Sequence, residues 1–375
     1  MSLLFSPYLL PSPKGGLTLA NRIVIAPMCQ YSARNGEATD WHLAHWTSLL
    51  NSGAALLTIE ATAISAEGRI TPDCLGLWDA RTEQALGDTL ARARALAPAM
   101  PVCIQLSHAG RKASSATPWH GGQLLGLDQG GWPTLAPSAV AYSPNEPAPA
   151  ALDKAELQRV LQAFVVAAQR AQRLGIDLIE LHAAHGYLLH QFLSPLSNTR
   201  TDEYGGSLEN RMRFPLEVFE AVRLAMPAEI PVGLRLSATD WVEGGWDVEQ
   251  SVVLGHALRK RGCAFMHVSS GGLSPLQQIP VDQNYQVPMA EKIRRETGLP
   301  TIAVGLITEA AQAETIIAEG RADMVALARG ILFDPRWPWH AAAELGGQVE
   351  APPQYWRSQP RGLKALFGDT KIGQR

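Results

Sequence analysis

Positive charge in excess is missing. The 375 residues carry 32 Lys and Arg against 35 Asp and Glu, a formal net charge of −3. Such a surface has no basic field with which to hold nucleic acid or an acidic membrane. Long apolar runs are missing too, and none approaches the roughly 18 residues a membrane-spanning helix needs. Met1–Pro7 carries no Lys or Arg, so a secretory leader is not expected. Cysteine is scarce. Cys29, Cys74, Cys103 and Cys263 form no C-x-x-C pair. Zinc ribbons and iron–sulfur clusters therefore have no support, and the pattern suits a reducing cytoplasm. Charged residues are only 18% of the chain against 46% hydrophobic, which excludes a disordered polymer and allows a large core.

What is present has a grammar. Gly53, Gly175, Gly262, Gly298 and Gly320 each close a helical stretch, and a β-rich apolar run follows within a few residues. Gly suits the left-handed residue after a helix. The runs are 55–60, 177–181, 264–268, 301–304 and 323–327, apolar on both faces as covered parallel strands are. Arg22–Met28, Val102–His108 and Val232–Ala238 read as three more strands. Capping-box spacings at Asp153/Glu156 and Asp247/Gln250 open two of the intervening helices. Thr308 starts another, with Glu309 in its first turn. Eight strand–helix units predict a (β/α)8 TIM barrel over residues 1–350, in preference to a doubly wound open sheet. Residues 109–151, rich in Gly, Pro, Ser and Trp, form a long insertion after strand three, expected as a lid or substrate loop. Residues 351–375 read as a C-terminal extension that meets a neighbouring subunit.

In such barrels the site lies at the C-terminal ends of the strands. Gly305 and Ala328–Gly330 stand there after strands seven and eight, where backbone N–H groups hold phosphate; two ordinary turns would look the same. Arg235 lies mid-strand, either in a structural ion pair or facing an anion that forms during turnover. His182, His185 and Tyr187 crowd one short segment. They read as metal ligands, as hydrogen-bond donors to a carbonyl with Tyr187 as proton donor, or as ordinary core histidines.

From Glu180 the chain is more specific: Glu-Leu-His-Ala-Ala-His-Gly-Tyr-Leu-Leu-His-Gln-Phe-Leu-Ser-Pro, continuing to Asn210-Arg-Met-Arg-Phe214. This stretch resembles the old yellow enzyme family of FMN-dependent ene-reductases. The similarity runs from Leu19-Ala20-Asn21-Arg22 to Gln354-Tyr355-Trp356-Arg357, nearly the whole chain. Pro27-Met28-Cys29-Gln30-Tyr31 is similar to the thermophilic-like subgroup, which includes xenobiotic reductases. The resemblance implies a tightly held, non-covalent FMN with NADPH as reductant. It places Pro27, Met28 and Ala63 along the isoalloxazine, Gln105 on its pyrimidine edge and Arg235 at its N1/C2 side. Cys29 falls near the N5/C4 edge, where it tunes the potential. Gly305, Ala328 and Arg329 take the phosphate. His182 and His185 bind the substrate carbonyl or the nicotinamide carboxamide, with His182 also at the flavin. Tyr187 protonates the α-carbon and Tyr31 adds a second hydroxyl. Both substrates use one pocket, so ping-pong kinetics follow. Arg357 reaches into a neighbouring subunit's pocket, which implies a homodimer or homotetramer. Competing classes fit less well. Dienoyl-CoA-type reductases carry an extra domain and an iron–sulfur cysteine cluster, tRNA dihydrouridine synthases need a basic surface, and a metal-dependent barrel lyase would use His182 and His185 as ligands.

Overall fold

In a strand covered by helices, alternate residues serve different cores. The computed structural model, which describes residues 2–370, sorts the eight runs by this rule. They form β1 (Ile23–Ile25), β2 (Leu56–Ala63), β3 (Val102–Ser107), β4 (Leu178–Ala183), β5 (Val232–Ser237), β6 (Met266–Ser269), β7 (Thr301–Val304) and β8 (Met324–Leu327). Each pairs in parallel with its sequence neighbour, and β8 pairs with β1 through Ala326 and Val24. The sheet is therefore a closed barrel and not an open one. Its helical cover is α1 (Asp40–Leu50), α2 (Ala80–Ala95), α3 (Lys154–Arg173), α4 (Leu208–Ala225), α5 (Val248–Lys260), α6 (Val287–Thr297), α7 (Ala310–Ala318) and α8 (Trp337–Leu345).

Local chemistry sets the ends of these helices. Gly53, Gly175, Gly262, Gly298 and Gly320 all adopt left-handed φ, between +68° and +85°. Asp153 accepts from the Glu156 amide at 2.8 Å, and the Glu156 carboxylate accepts from the Asp153 amide at 2.9 Å. Such a cap contributes about 1 kcal/mol to α3. Asp247 accepts from the Gln250 amide in the same way. At α7 the expectation is off by one position. The helix begins at Ala310, and Glu309 is its N-cap rather than a first-turn acid. The Gln312 amide oxygen accepts from the Thr308 and Glu309 N–H groups, so Gln312 satisfies the orphan donors.

Two cores result. Outward residues such as Ile104, Ile179, Leu181, Leu234, Met266 and Val325 pack under the helices. Inward residues Val24, Leu56, Cys103, Leu178, Phe265 and Met324 fill the barrel's N-terminal end. An antiparallel hairpin, Tyr8–Pro11 with Gly16–Leu19, closes that end, and its Leu10 and Leu19 are fully buried. The inward positions further along β3 to β6 are polar: Gln105, Ser107, Glu180, His182, Arg235, Ser237, His267 and Ser269, all buried. A polar interior survives only where its groups are paired or face a bound ligand.

The long insertion after β3 is tied back to the barrel. Arg111 donates to Val140 O, Ala141 O and Leu273 O. Trp132 Nε1 donates to Glu67 O at 2.9 Å. In the C-terminal extension Leu366 and Phe367 pack on Trp339 of α8, the Phe367 and Trp339 rings 4.8 Å apart. Residues 371–375 of that extension lie outside the described residues.

Gly233 lies inward on β5 because Phe265 occupies the space beside it. A Cβ there would sit 2.4 Å from two atoms of the buried ring. Gly233→Ala should therefore lower the melting temperature, by an overpacking cost of roughly 1–3 kcal/mol. A thermal melt equal to the parent's would show that the Phe265 ring has room to yield.

Candidate active site

Glu180 organises the barrel's polar interior. Its Oε1 accepts from Gln105 Nε2 at 2.7 Å and its Oε2 lies 2.9 Å from His267 Nδ1. Burial opposes its charge. The adjacent His267, its hydrogen bond, Arg235 and Gln105 outweigh this and hold the carboxyl below the usual range. Burial and Arg235 push His267 below the ordinary histidine range, against the pull of Glu180. The imidazole is thus neutral, with Nδ1–H donating to the carboxylate. Arg235 is in register with His182 on one side and His267 on the other, so its guanidinium faces inward. It forms no contact ion pair among the described residues, and its buried Nε has no partner. A cation held this way is a ready-made stabiliser for negative charge arising beside it.

His182 ends the polar face of β4. The Ala184 N–H donates to its Nδ1 at 3.1 Å, so the neutral ring carries its proton on Nε2. Burial first, then Arg235, push both His182 and His185 well below the ordinary range; Lys112 adds to this. His185 Nε2 lies 2.8 Å from Ser269 Oγ. The two rings meet edge to face at 5.2 Å, and the Tyr187 ring lies 4.8 Å from His182. Burial and the neighbouring Cys29 and Tyr31 raise the Tyr187 phenol well above its ordinary value, so it keeps its proton. The structure thus brings together neutral N–H donors and a protonated phenol, groups suited to polarising a carbonyl and delivering a proton. No group of three His, Cys, Asp or Glu suited to a metal ion occurs among the described residues.

The loop after β1 brings in Pro27, Met28, Cys29 and Tyr31, all half-buried. Burial, then Cys74 and Glu60, push the Cys29 thiol well up, so it stays uncharged. Tyr31 adopts a left-handed φ of +48° and meets Trp119 of the insertion at 5.7 Å. Ala63 closes β2, buried. Gly305 follows β7, where a Cβ would strike Gln286 Nε2 at 2.3 Å, and exposed Arg329 opens a short helix after Ala328 at the end of β8. Arg357 is not part of this gathering. It is exposed in a turn whose neighbours, Tyr355 and Trp356, line a groove with Asn51 and Leu96–Pro98, ahead of β2 and β3 at the opposite end of the barrel.

Sequence reasoning missed several groups. Lys112 is half-buried beside the site, and its Nζ donates to His185 O and Gly272 O, each at 2.9 Å. Burial and the neighbouring Arg111 bring its pKa down to about 8. In the sequence it is one basic residue in Gly110-Arg111-Lys112, with nothing to mark it as half-buried. His267, His190 and Asp240 were also missed. The alternation of β6, with Phe265, His267 and Ser269 at every second place, was the signal available for His267.

Comparison with known proteins identifies the family. The model of the NADH:flavin oxidoreductase / NADH oxidase family matches residues 4–348. The chain is 43% identical over 358 residues to the NADPH dehydrogenase of Geobacillus thermodenitrificans (strain NG80-2), covering 95% of this chain and 98% of that one. It is 40% identical over 357 residues to the NADPH dehydrogenase of Halalkalibacterium halodurans, again covering 95% and 98%. Morphinone reductase is a structural neighbour at TM-score 0.75 and 29% identity, covering 94% of this chain and 91% of that one. A morphinone reductase complex with tetrahydroNAD has TM-score 0.72 and 28% identity, covering 93% and 92%. The family match spans the whole barrel, so the chain belongs to the NADH:flavin oxidoreductase / NADH oxidase family and is an FMN-linked NAD(P)H oxidoreductase of the old yellow enzyme type.

Proposed function

We propose that this enzyme reduces the carbon–carbon double bond of electron-poor alkenes: α,β-unsaturated carbonyls, maleimides or nitroalkenes. The observation that carries the reading is the meeting of His182, His185 and Tyr187, all uncharged, above an inward Arg235. The residues present fit FMN. Gln105 spends its N–H on Glu180 and keeps its Oε1 for a ring N–H. The unpartnered Arg235 Nε suits the ring edge that gains negative charge, and the crowded backbone at Gly305, with Ala328 and Arg329, suits the phosphate. Pro27, Met28, Cys29 and Ala63 would line the ring. Bound FMN would supply the hydride chemistry between NADPH and the substrate.

The protein's own part is to bind, polarise and protonate. His182 offers Nε2–H to the substrate carbonyl oxygen. His185, whose Nε2 lies 2.8 Å from Ser269 Oγ, would supply the second N–H. Two neutral donors stabilise the oxyanion that develops as the β-carbon is attacked. Tyr187 then gives its proton to the α-carbon, and Tyr31 adds a hydroxyl at the mouth. NADPH offers a carboxamide to the same donors, so the two substrates take turns. Arg357, remote from its own chain's site, would complete the pocket of a partner in a homodimer or homotetramer. The four free thiols suit a cytoplasmic location.

Tyr187→Phe should slow enone reduction by about 10²-fold while flavin reduction by NADPH changes only a few-fold. Rapid-mixing absorbance at the flavin band separates the two steps, and equal losses in both would remove the proton-donor role. Arg235→Met should lower the midpoint potential of bound FMN, with Arg235→Lys in between; an unshifted potential in dye-equilibration titrations counts against the cation. Arg357→Ala should raise KM for the enone without changing the melting temperature. Light scattering gives the oligomeric mass, and a monomer with an unaltered KM excludes the shared pocket.

A further inference from the structure

Between the two site residues His185 and Tyr187 lies Gly186, and this turn is unusually constrained. His185 has a left-handed φ of +57° and Gly186 follows at +76°. Non-glycine residues seldom occupy that region unless the surroundings enforce it. Here all six backbone polar groups of the three residues are held. The His185 N–H donates to Ser237 Oγ, and its carbonyl accepts from Lys112 Nζ. The Gly186 carbonyl accepts from Gln191 Nε2 at 2.7 Å. The Tyr187 N–H donates to Ala184 O, and its carbonyl accepts from the Gln191 N–H. The remaining group, the Gly186 N–H, donates to His190 Nδ1 at 2.9 Å.

His190 is fully buried and holds its orientation through a second bond. Its Nε2 lies 2.8 Å from Asp240 Oδ1, on the loop after β5. Asp240 is buried as well, and its other oxygen accepts from Ser194 Oγ at 2.6 Å and from the Trp246 N–H at 2.8 Å. Donors converge on this side chain from three directions, and only an acceptor without protons satisfies them all. An ionised Asp240 in turn forces the His190 proton onto Nε2. That leaves Nδ1 bare, which the Gly186 N–H requires.

We propose that Asp240 and His190 are positioning residues. They fix the tautomer that grips Gly186 and so aim His185 and Tyr187 at the substrate. Neither side chain is assigned contact with substrate or cofactor. The inference rests on the proposed roles of His185 and Tyr187 and adds the device that holds them.

Two substitutions separate a positioning role from a merely structural one. His190→Asn keeps an acceptor where Nδ1 stood and loses the link to Asp240. His190→Gln keeps a donor where Nε2 stood and loses the link to Gly186. If Asp240 matters only as a buried group needing donors, His190→Asn is the more damaging change in every measurement. If the grip on Gly186 matters, the orders cross. His190→Asn then has the lower melting temperature, yet His190→Gln has the weaker function. The dissociation constant of 4-hydroxybenzaldehyde on the oxidised holoenzyme should rise on the order of tenfold or more in His190→Gln, and stay within about threefold in His190→Asn. Enone reduction should follow the same order. Amide exchange in the 182–190 peptide should be faster in His190→Gln than in His190→Asn. Ligand affinity that falls in step with melting temperature, or exchange that is faster in His190→Asn, overturns the proposal. A parent enzyme that reduces no enone sinks the proposed function instead, and the exchange order still decides this inference.

Discussion

A hydrogen bond crosses the inside of this barrel from His267 on β6 to Glu180 on β4, passing over β5. Much else hangs on it. It pairs a buried carboxylate with a neutral imidazole, and Gln105 completes the pairing from β3. Leaving one partner of such a buried pair alone costs several kcal/mol. The register of three strands is thereby tied to which face points inward, since a one-residue slip would turn every polar side chain of β4 toward the helices. With Glu180 set inward, His182 two residues on is inward too, and Arg235 lies level with it on β5.

The electrostatics follow from that arrangement. Arg235 is buried and Lys112 half-buried, and both depress the imidazoles of His182 and His185. Neutral imidazoles are the useful species for donating to a carbonyl without adding a third positive charge to the site. The phenol of Tyr187 is pushed the other way by burial and keeps its proton. Donors and acid are thus held in their working protonation states chiefly by desolvation within the barrel. The strained turn at His185 and Gly186 is stabilised by four bonds from three surrounding segments, so its distortion is set by the fold and not by the turn residues alone.

Local signals were the readable ones. Glycine after a helix, a carboxylate three residues before an amide donor, and apolar runs of strand length each depend on a few neighbouring residues. Gly53, Gly175, Gly262, Gly298, Gly320, Asp153 and Asp247 accordingly took the conformations expected of them. Glu309 shows the limit of such reading. A carboxylate suits both the N-cap and the first turn, and Gln312 reaching back to the Thr308 and Glu309 amides decides between them. Lys112 marks a harder limit. Its burial comes from His185 and Gly272, more than seventy residues away in sequence, and nothing local announces it.

The sequence by itself determined eight alternating strands and helices, a core large enough to close them, and a motif from His182 to Arg211 specific enough to imply a flavin-dependent reductase. Periodicity and capping are properties of adjacent residues, so they are written in order along the chain. Only the tertiary structure decided that Arg235 faces inward without a contact partner, that His182 and His185 are neutral and that His182 carries its proton on Nε2, that Asp240 stands behind His190, and that Arg357 lies at the other end of the barrel from its own chain's site. Each depends on distances between segments far apart in the chain, and on the loss of water around them, which no local pattern encodes.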